Sequence, residues 1–526
     1  RGGGRVAVLF CRALSPSLGA VLVDGCASHV LRAVVCGLAR LPVLAERRGR
    51  RNERHAHSVD DAAHKPDAQL AADLAAEGPD AGGILGDALR QLVEALAAMD
   101  AAQLHAACVD ASGAPCLALI VRVLAVVETA ARGGALGAAG GPECATLSAA
   151  GPTAGSALVA RLLELDVSGG GCVADEPARS RDIVFGLSSD RCGSVVIEAV
   201  LRHCADETHA YVVEALICDA AATRSLGAYV EGGTTNYVVQ TILRTLRTKP
   251  AAAAVVRDLA AEAVLRRLAR PDRLGVLSAL CVAAEKFDVC QDVVVDGFAA
   301  LRADGAETTL LRRLALLDPA AVVGRGAPRT KEHGVRAVAA AIGFRAECRA
   351  RFVADVVSAD APTLLAVVQD TTVPWCRALL VALARHAPAA LRGCLASQPL
   401  EACLPATFAL FDAADARLKG EMAAELAPQL PMLEKKAGAF VARTKLRLFA
   451  SNPNKWRADV AAAAPKGPAR APAAAAAKAS KRPRIDGKDD EAKDQSAAPA
   501  APAEEREAPP EEEQKKKKLK KKLPPN

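Results

Sequence analysis

Apolar residues recur at helical spacing along most of the chain. In the stretch from 84 to 99 they fall on one face of a helix with a 3.6-residue period: Ile84, Leu85, Ala88, Leu89, Leu92, Val93 and Leu96. From about residue 181 to 450, short patterns of this kind follow one another. After Trp456 no apolar period remains, and Ala, Pro, Lys and Glu dominate. The pattern predicts an all-α protein with a disordered C-terminal tail.

Polar and glycine-rich breaks in this pattern divide the chain. Residues 47–83 are interpreted as a polar insert, and residues 132–156 and 168–181 as glycine-rich inserts. Because the chain opens Arg1-Gly2-Gly3-Gly4 without a methionine, we expect its first unit to be truncated upstream. The predicted organisation is a helical unit over 1–46, the polar insert over 47–83, a helical array over 84–456 and the tail over 457–526.

A short motif recurs at the start of several helical patterns. It has a small or amide residue, a variable residue, two branched apolar residues and a long polar residue, as in 28–32, 194–198 and 236–240. Ser194 and Asn236 are 42 residues apart, and a weaker copy places Gly275 39 residues after Asn236. Repeats of this length are typical of helical solenoids, in which each unit buries its apolar face against its neighbours.

The spacing within the motif determines which side chains share a helix face. The first and last residues are four apart and therefore lie on the same face, with the second residue beside them. The two apolar residues between them point into the core. Stacked units would form a ladder of paired polar side chains, an arrangement that suits reading a single RNA strand one base at a time.

These motifs resemble Pumilio (PUF) repeats, units of three short helices whose second helix reads one RNA base. Asn236 and Gln240 match the pair that this family uses for uracil, and Tyr237 matches its stacking position. The resemblance implies a curved α-solenoid of such repeats that binds RNA.

The motif at 194–198 departs from the family pattern at one position. Ser194 and Glu198 match the pair for guanine, but Val195 replaces the stacking ring. Three other patterns lack polar residues at most of these positions, and we expect them to support the solenoid or contact phosphates. Their residues at the three positions are Ala114, Pro115 and Ala118; Val373, Pro374 and Arg377; and Leu404, Pro405 and Phe408.

Two segments narrow the resemblance to a nucleolar Pumilio family, nucleolar protein nine. The first, 24–32, contains Ser28 and the stacking candidate His29, whereas Arg32 leaves the base choice open. The second, 410–456, resembles that family's last repeats, which close with a long helix and a tryptophan. There Phe440 and Arg443 supply a ring and a cation. The resemblance implies nucleolar residence and binding to single-stranded or structured RNA, in particular precursor rRNA. It also implies a role in small-subunit (18S) rRNA maturation with pre-ribosomal assembly factors.

Aromatic residues make up only 3% of the chain. Since base stacking needs rings, this shortage favours few base-reading repeats, at Tyr237 first and then at His29 and Phe440. We expect binding to depend mostly on RNA shape and phosphate contacts.

Cysteine and motif content argue against a metal site or an enzyme. The 16 cysteines are scattered without a C-x-x-C pair, so we expect buried free thiols in a reducing compartment. No G-x-x-x-x-G-K-[ST] loop or H-E-x-x-H motif occurs. We therefore predict a protein that is not an enzyme, with no cofactor, metal or small-molecule substrate. No run of 18 uninterrupted apolar residues occurs, and we expect no membrane partner.

Positive charge is concentrated in the tail. The chain has a net charge of +7, and residues 451–526, with 18 Lys or Arg and 12 Asp or Glu, carry +6 of it. The segment 478–484 resembles a nuclear import signal, and a lysine block follows Glu511–Glu513. We predict that these segments direct the protein to the nucleus and nucleolus, although a charge run can also be only a solvated tail. The residues concerned are Lys478, Lys481, Arg482, Arg484, Lys515, Lys516, Lys517, Lys518, Lys520, Lys521 and Lys522.

The repeats alone leave three other interpretations open. The polar pairs could be the exposed faces of ordinary HEAT or armadillo helices. The protein could instead be a Pumilio-like regulator of messenger RNA, or a protein-binding α-solenoid scaffold. RNA crosslinking at Tyr237 would argue against the scaffold.

Overall fold

The computed structural model describes residues 9–38, 67, 69, 71–72, 91–137, 154–165, 177–217, 226–303, 314, 331–357, 373–396 and 399–463. Regular structure in these ranges is helical, with no strand, which confirms the predicted all-α class. The chain divides into two units, Arg1–Ala462 and Ala463–Asn526. The predicted localisation residues, 478–522, lie outside the described residues.

Most helices are short, as the sequence periodicity predicts, whereas Gly113–Gly137 forms one helix of 25 residues. In chain order they are α1 (Leu18–Val23), α2 (Ala27–Leu38), α3 (Ala101–Val109), α4 (Gly113–Gly137), α5 (Ala154–Leu163), α6 (Pro177–Ser189), α7 (Gly193–His203), α8 (Asp206–Ile217), α9 (Leu226–Glu231), α10 (Thr235–Thr245), α11 (Lys249–Ala260), α12 (Glu262–Leu268), α13 (Leu274–Phe287), α14 (Gln291–Ala303), α15 (Glu332–Ile342), α16 (Ala346–Val357), α17 (Pro374–His386), α18 (Pro388–Ala396), α19 (Leu404–Ala413), α20 (Ala416–Leu426), α21 (Leu430–Thr444), α22 (Leu446–Ser451) and α23 (Pro453–Ala463).

The helices that contain the motif positions pack side by side, and α15 lies in the same row between α13 and α17. This motif row consists, in order, of α2, α4, α7, α10, α13, α15, α17 and α19, each in contact with the next. Helix α21 extends the row, because Phe440 packs on Phe408 of α19. The remaining helices flank the row, so each unit buries its apolar face only against its neighbours. This arrangement is the predicted helical solenoid.

An aspartate fixes the start of three motif helices. The Oδ1 atoms of Asp24, Asp110 and Asp190 each accept hydrogen bonds from the backbone N–H groups two and three residues later, at 2.7–2.9 Å. The turn brings the helix close to the helix before it. A Cβ on Gly113 would lie 2.4 Å from the carbonyl oxygen of Ala107, which explains the small residue at this position. The aspartate therefore gives these helices the same starting register.

Leucine, valine, alanine and cysteine fill the core. Burial raises the pKa of the Cys108 and Cys116 thiols to about 12, so both stay protonated at neutral pH. The described cysteines are free thiols and most are buried, in agreement with the sequence prediction.

Helix α4 contains a long apolar segment that is interrupted by two charged residues. By length and composition alone, Gly113–Ala130 could cross a membrane, because Arg122 and Glu128 are its only charged residues. In the solenoid, half of this segment is buried, and α4 packs against α2 and α7. Its apolar side chains are explained by this packing.

The C-terminal end is closed by an aromatic cluster. Trp456 is fully buried, its Nε1 donates a hydrogen bond to the Thr444 carbonyl oxygen at 2.8 Å, and its ring contacts Phe411 and Phe449 edge-on. The expected single long helix is wrong, because α21 bends at Ala437 and the chain breaks again before α22 and α23. The closing tryptophan is present as expected.

Part of the predicted polar insert packs on the solenoid. Its described residues, Asp67, Gln69, Ala71 and Ala72, are helical, and Ala71 is buried. The Oδ1 atom of Asp67 accepts hydrogen bonds from Nε and Nη2 of Arg122 on α4, at 3.0 and 2.8 Å. Asp67 and Ala71 thus pack on the solenoid, unlike residues of a solvated loop.

Candidate nucleic-acid interface

The predicted uracil-reading residues lie on one face of α10. The Gln240 Nε2 donates to the Asn236 Oδ1 at 3.2 Å, which is the contact that the four-residue spacing predicts. The Asn236 Nδ2 donates to the carbonyl oxygens of Gly232 and Gly233, at 3.2 and 2.9 Å. Asn236 and Gln240 are only 3% and 7% exposed, whereas Tyr237 is half-buried. The two amides are therefore held in place before any ligand binds.

The next repeat completes the surroundings of Gln240. A Cβ on Gly275 of α13 would lie 2.7 Å from the Gln240 Oε1 and 2.9 Å from its Nε2. The glycine thus makes room for the amide between α10 and α13. Arg244, one helical turn after Gln240, donates from Nη2 to the same Oε1 at 3.3 Å. Asn236 and Arg244 on the same helix and Gly275 on the next helix therefore set the orientation of the Gln240 side chain.

The predicted guanine-reading residues on α7 are arranged differently. Ser194 is buried, and its hydroxyl donates to the Arg191 carbonyl oxygen at 3.1 Å. The Glu198 Oε2 accepts from the Arg202 Nη2 at 2.8 Å and from the Thr241 hydroxyl of α10 at 3.1 Å. Val195 lies half-buried between Ser194 and Glu198. The carboxylate is therefore oriented by its own helix and by the next repeat.

Three arginines occupy the same position in successive motif helices. Arg122, Arg202 and Arg244 each follow the last motif position by four residues, in α4, α7 and α10. They place a guanidinium one turn beyond each reading position, where Arg122 donates to Asp67, Arg202 to Glu198 and Arg244 to Gln240. The sequence signal is an arginine four residues after the motif at 122, 202 and 244, whereas α2 has Cys36 at this position.

At the N-terminal end, the structure brings together two of the three predicted residues. His29 is exposed, and its Nδ1 lies 2.8 Å from the Arg32 Nη2, which donates to it. Ser28 is fully buried, and its hydroxyl donates to the Gly25 carbonyl oxygen at 3.3 Å. His29, Val30 and part of Arg32 thus reach the surface of this motif, and Val30, which is 52% exposed, does not point into the core as the motif predicts.

The expectation that Phe440 stacks on a base does not fit the structure. The ring is only 5% exposed, stacks on Phe408 with centroids 3.8 Å apart, and meets Phe411 edge-on. The bend at Ala437 alters the register of α21, so this ring points into the aromatic cluster. Arg443 is exposed and donates to the Asp412 Oδ2 at 3.0 Å.

Titratable side chains do not gather into a metal site in the described parts of the chain. No group of three or more His, Cys, Asp or Glu residues there is arranged to hold a metal ion. His55, His57 and His64 of the polar insert lie outside the described residues.

Comparison with known proteins gives the family. The NOP9-like PUF repeat domain matches residues 5–391. The solved complex of APUM23 with GGAAUUGACGG is similar at a TM-score of 0.59 and 14% sequence identity, over 86% of this chain and 78% of that chain. The complex of APUM23 with GGAUUUGACGG gives 0.54, with the same identity and coverage. No curated protein matches by sequence. The likeness to the solved structures shows the fold, a curved solenoid of Pumilio-type repeats. The chain therefore belongs to the NOP9-like PUF repeat family of RNA-binding α-solenoids.

Proposed function

We propose that this protein binds single-stranded segments of precursor rRNA in the nucleolus and acts, with pre-ribosomal assembly factors, in the maturation of small-subunit (18S) rRNA. The match of the NOP9-like PUF repeat domain over residues 5–391 carries this proposal. The strands in the APUM23 structures contain uracil and are therefore RNA, which supports an RNA ligand for the shared fold.

The interface suggests how the strand is held. The oriented amides of Asn236 and Gln240 offer a donor and acceptor pair to the edge of a uracil, and Tyr237 lies beside them as the stacking ring. Base–aromatic stacking and one bidentate base contact each supply about 1–3 kcal/mol. A few such repeats cannot select one site among many, so phosphate contacts should supply much of the affinity. Binding should accordingly weaken as salt concentration rises.

In this proposal the protein acts by binding RNA and does not catalyse a reaction. A solenoid that holds a strand in extended form keeps those nucleotides out of RNA helices. In a precursor rRNA, this would leave the segment unpaired and in a fixed place for the assembly factors that follow.

Crosslinking in cells tests the proposed ligand. We expect the tagged full-length protein to crosslink mainly to precursor rRNA, with contacts near Tyr237. A Tyr237→Phe variant keeps the ring and serves as the matched control for Tyr237→Ala, which should lose crosslinks at that position. Recovery of messenger RNA 3′ ends in place of precursor rRNA would contradict the proposal and favour a messenger RNA regulator.

The tail has a separate role in this proposal. Deleting residues 478–526 is expected to reduce nuclear and nucleolar accumulation, because it removes both lysine- and arginine-rich segments. Fluorescence microscopy of a tagged protein measures the change. Deleting the Ala- and Pro-rich residues 464–477 is the control and should leave localisation unchanged. An unaltered distribution after the larger deletion would remove the tail from the proposal.

A further inference from the structure

A cleft lies between α17 and α19, in repeats that lack the base-reading residue pairs. Its volume is about 520 Å³, and its lining includes Arg377 and Arg385 of α17 and Pro405, Phe408 and Asp412 of α19. The sequence motif assigns no amide, hydroxyl or carboxylate to the reading positions of these two helices. The cleft nevertheless combines cations with a ring on the motif row.

The charge of the cleft is positive. Arg377 and Arg385 are exposed, and neither has an acidic partner among the residues that the structure describes. The one carboxylate in the lining, Asp412, accepts a hydrogen bond from Arg443, which offsets its charge. Two arginines without acidic partners are therefore available to an anion, and phosphate matches the forked geometry of a guanidinium.

The ring of Phe408 is held rigidly at the wall of this cleft. It is half-buried and stacks on Phe440 with centroids 3.8 Å apart and an angle of 19° between the rings. Phe440 is in turn held by the edge of Phe411. Phe440 does not line the cleft, so Phe408 separates the cleft from the aromatic cluster. A ring fixed in this way loses little freedom when a base stacks against it.

We propose that this cleft binds one nucleotide of a single RNA strand without regard to base identity. The base stacks against Phe408 and Pro405, and the adjoining phosphates contact Arg377 and Arg385. Stacking accepts every base because each has a π-face, and the lining offers no paired edge contacts that would choose among them. This inference rests on the proposed RNA binding and extends the bound strand beyond the Asn236 repeat.

Affinities of the full chain for oligouridylate and for oligoadenylate of equal length test whether the cleft binds RNA without regard to base identity. The variant Arg377→Ala with Arg385→Ala should weaken both by a similar factor and lower the slope of log affinity against log salt by about 1.4, the loss expected for two phosphates. Phe408→Leu should weaken both about tenfold, whereas Phe408→Tyr should retain binding. Thermal unfolding of each variant verifies that the fold is intact.

Matched variants separate this proposal from the proposed function. Lys249→Ala with Arg257→Ala removes the same charge from the exposed face of the flanking helix α11 and should leave both affinities unchanged. If the arginine pair of the cleft behaves like this control while the wild-type chain binds RNA, the cleft proposal fails and the proposed function stands. A loss confined to one of the two oligonucleotides would overturn base-independent binding. Failure of the wild-type chain to bind either would overturn RNA binding itself.

Discussion

Replacement of Trp456 by alanine is expected to unfold the C-terminal end of the solenoid. The indole is fully buried among Phe411 and Phe449, and its Nε1–H is donated to the Thr444 carbonyl oxygen. Truncating a buried tryptophan costs about 3–5 kcal/mol, a large fraction of the stability of a terminal repeat. Because each repeat contacts only its neighbours, the loss should stay local.

Two measurements check this expectation. Thermal unfolding followed by circular dichroism should show an early transition of small amplitude, and limited proteolysis should cut first within α21–α23. Trp456→Phe is the matched control, since it keeps a ring and removes the hydrogen bond, and it should be destabilised less. An alanine variant that unfolds in the same single transition as the wild type would show that the cluster does not close the solenoid.

Replacement of Asn236 and Gln240 by alanine is expected to weaken binding to a strand with uracil at the read position, but not to a mismatched strand. The lost base contact corresponds to about 1–3 kcal/mol, or roughly five- to 150-fold in affinity. Removing Asn236 also leaves two glycine carbonyl groups without their donor, so the variant's stability must be measured beside its affinity.

A second variant is expected to change the preferred base, which a loss of stability alone would not do. Asn236→Ser with Gln240→Glu reproduces the Ser194 and Glu198 pair and should shift preference from uracil towards guanine. The matched control removes an asparagine and a glutamine at exposed positions, with Gln103→Ala and Asn454→Ala, and should leave binding unchanged. Equal loss for matched and mismatched RNA in the alanine variant would contradict base reading at α10.

The solenoid could be predicted from local signals. In the motifs at 194–198 and 236–240, the two apolar residues between the polar ones require a helix that is buried on one side. In α2, α4 and α7, an aspartate four residues before the motif specifies the turn. The pairing of Asn236 with Gln240 follows from helix geometry alone. These features depend on residues within one repeat, so their spacing in the sequence contains the information.

The features that the sequence did not reveal depend on contacts between segments far apart in the chain. Phe440 has the spacing of a stacking residue, but a bend at Ala437 and the neighbouring Phe408 draw it into the core. Asp67 lies in a polar stretch, and only the fold brings it to Arg122. The cleft beside Phe408 is formed by two helices whose motifs, taken singly, offer no ligand contact.

Gln240 is adjacent to Gly275 of the next repeat, and Glu198 accepts a hydrogen bond from Thr241 of the next repeat. One repeat therefore cannot be exchanged independently of the repeat that follows it. In each of these repeats, the side chain that is predicted to read a base is partly oriented by the following unit. Grafting residues 232–243 into another position would therefore require a glycine at the matching place in the successor. A change in the RNA sequence that this protein prefers would require substitutions in adjoining pairs of repeats.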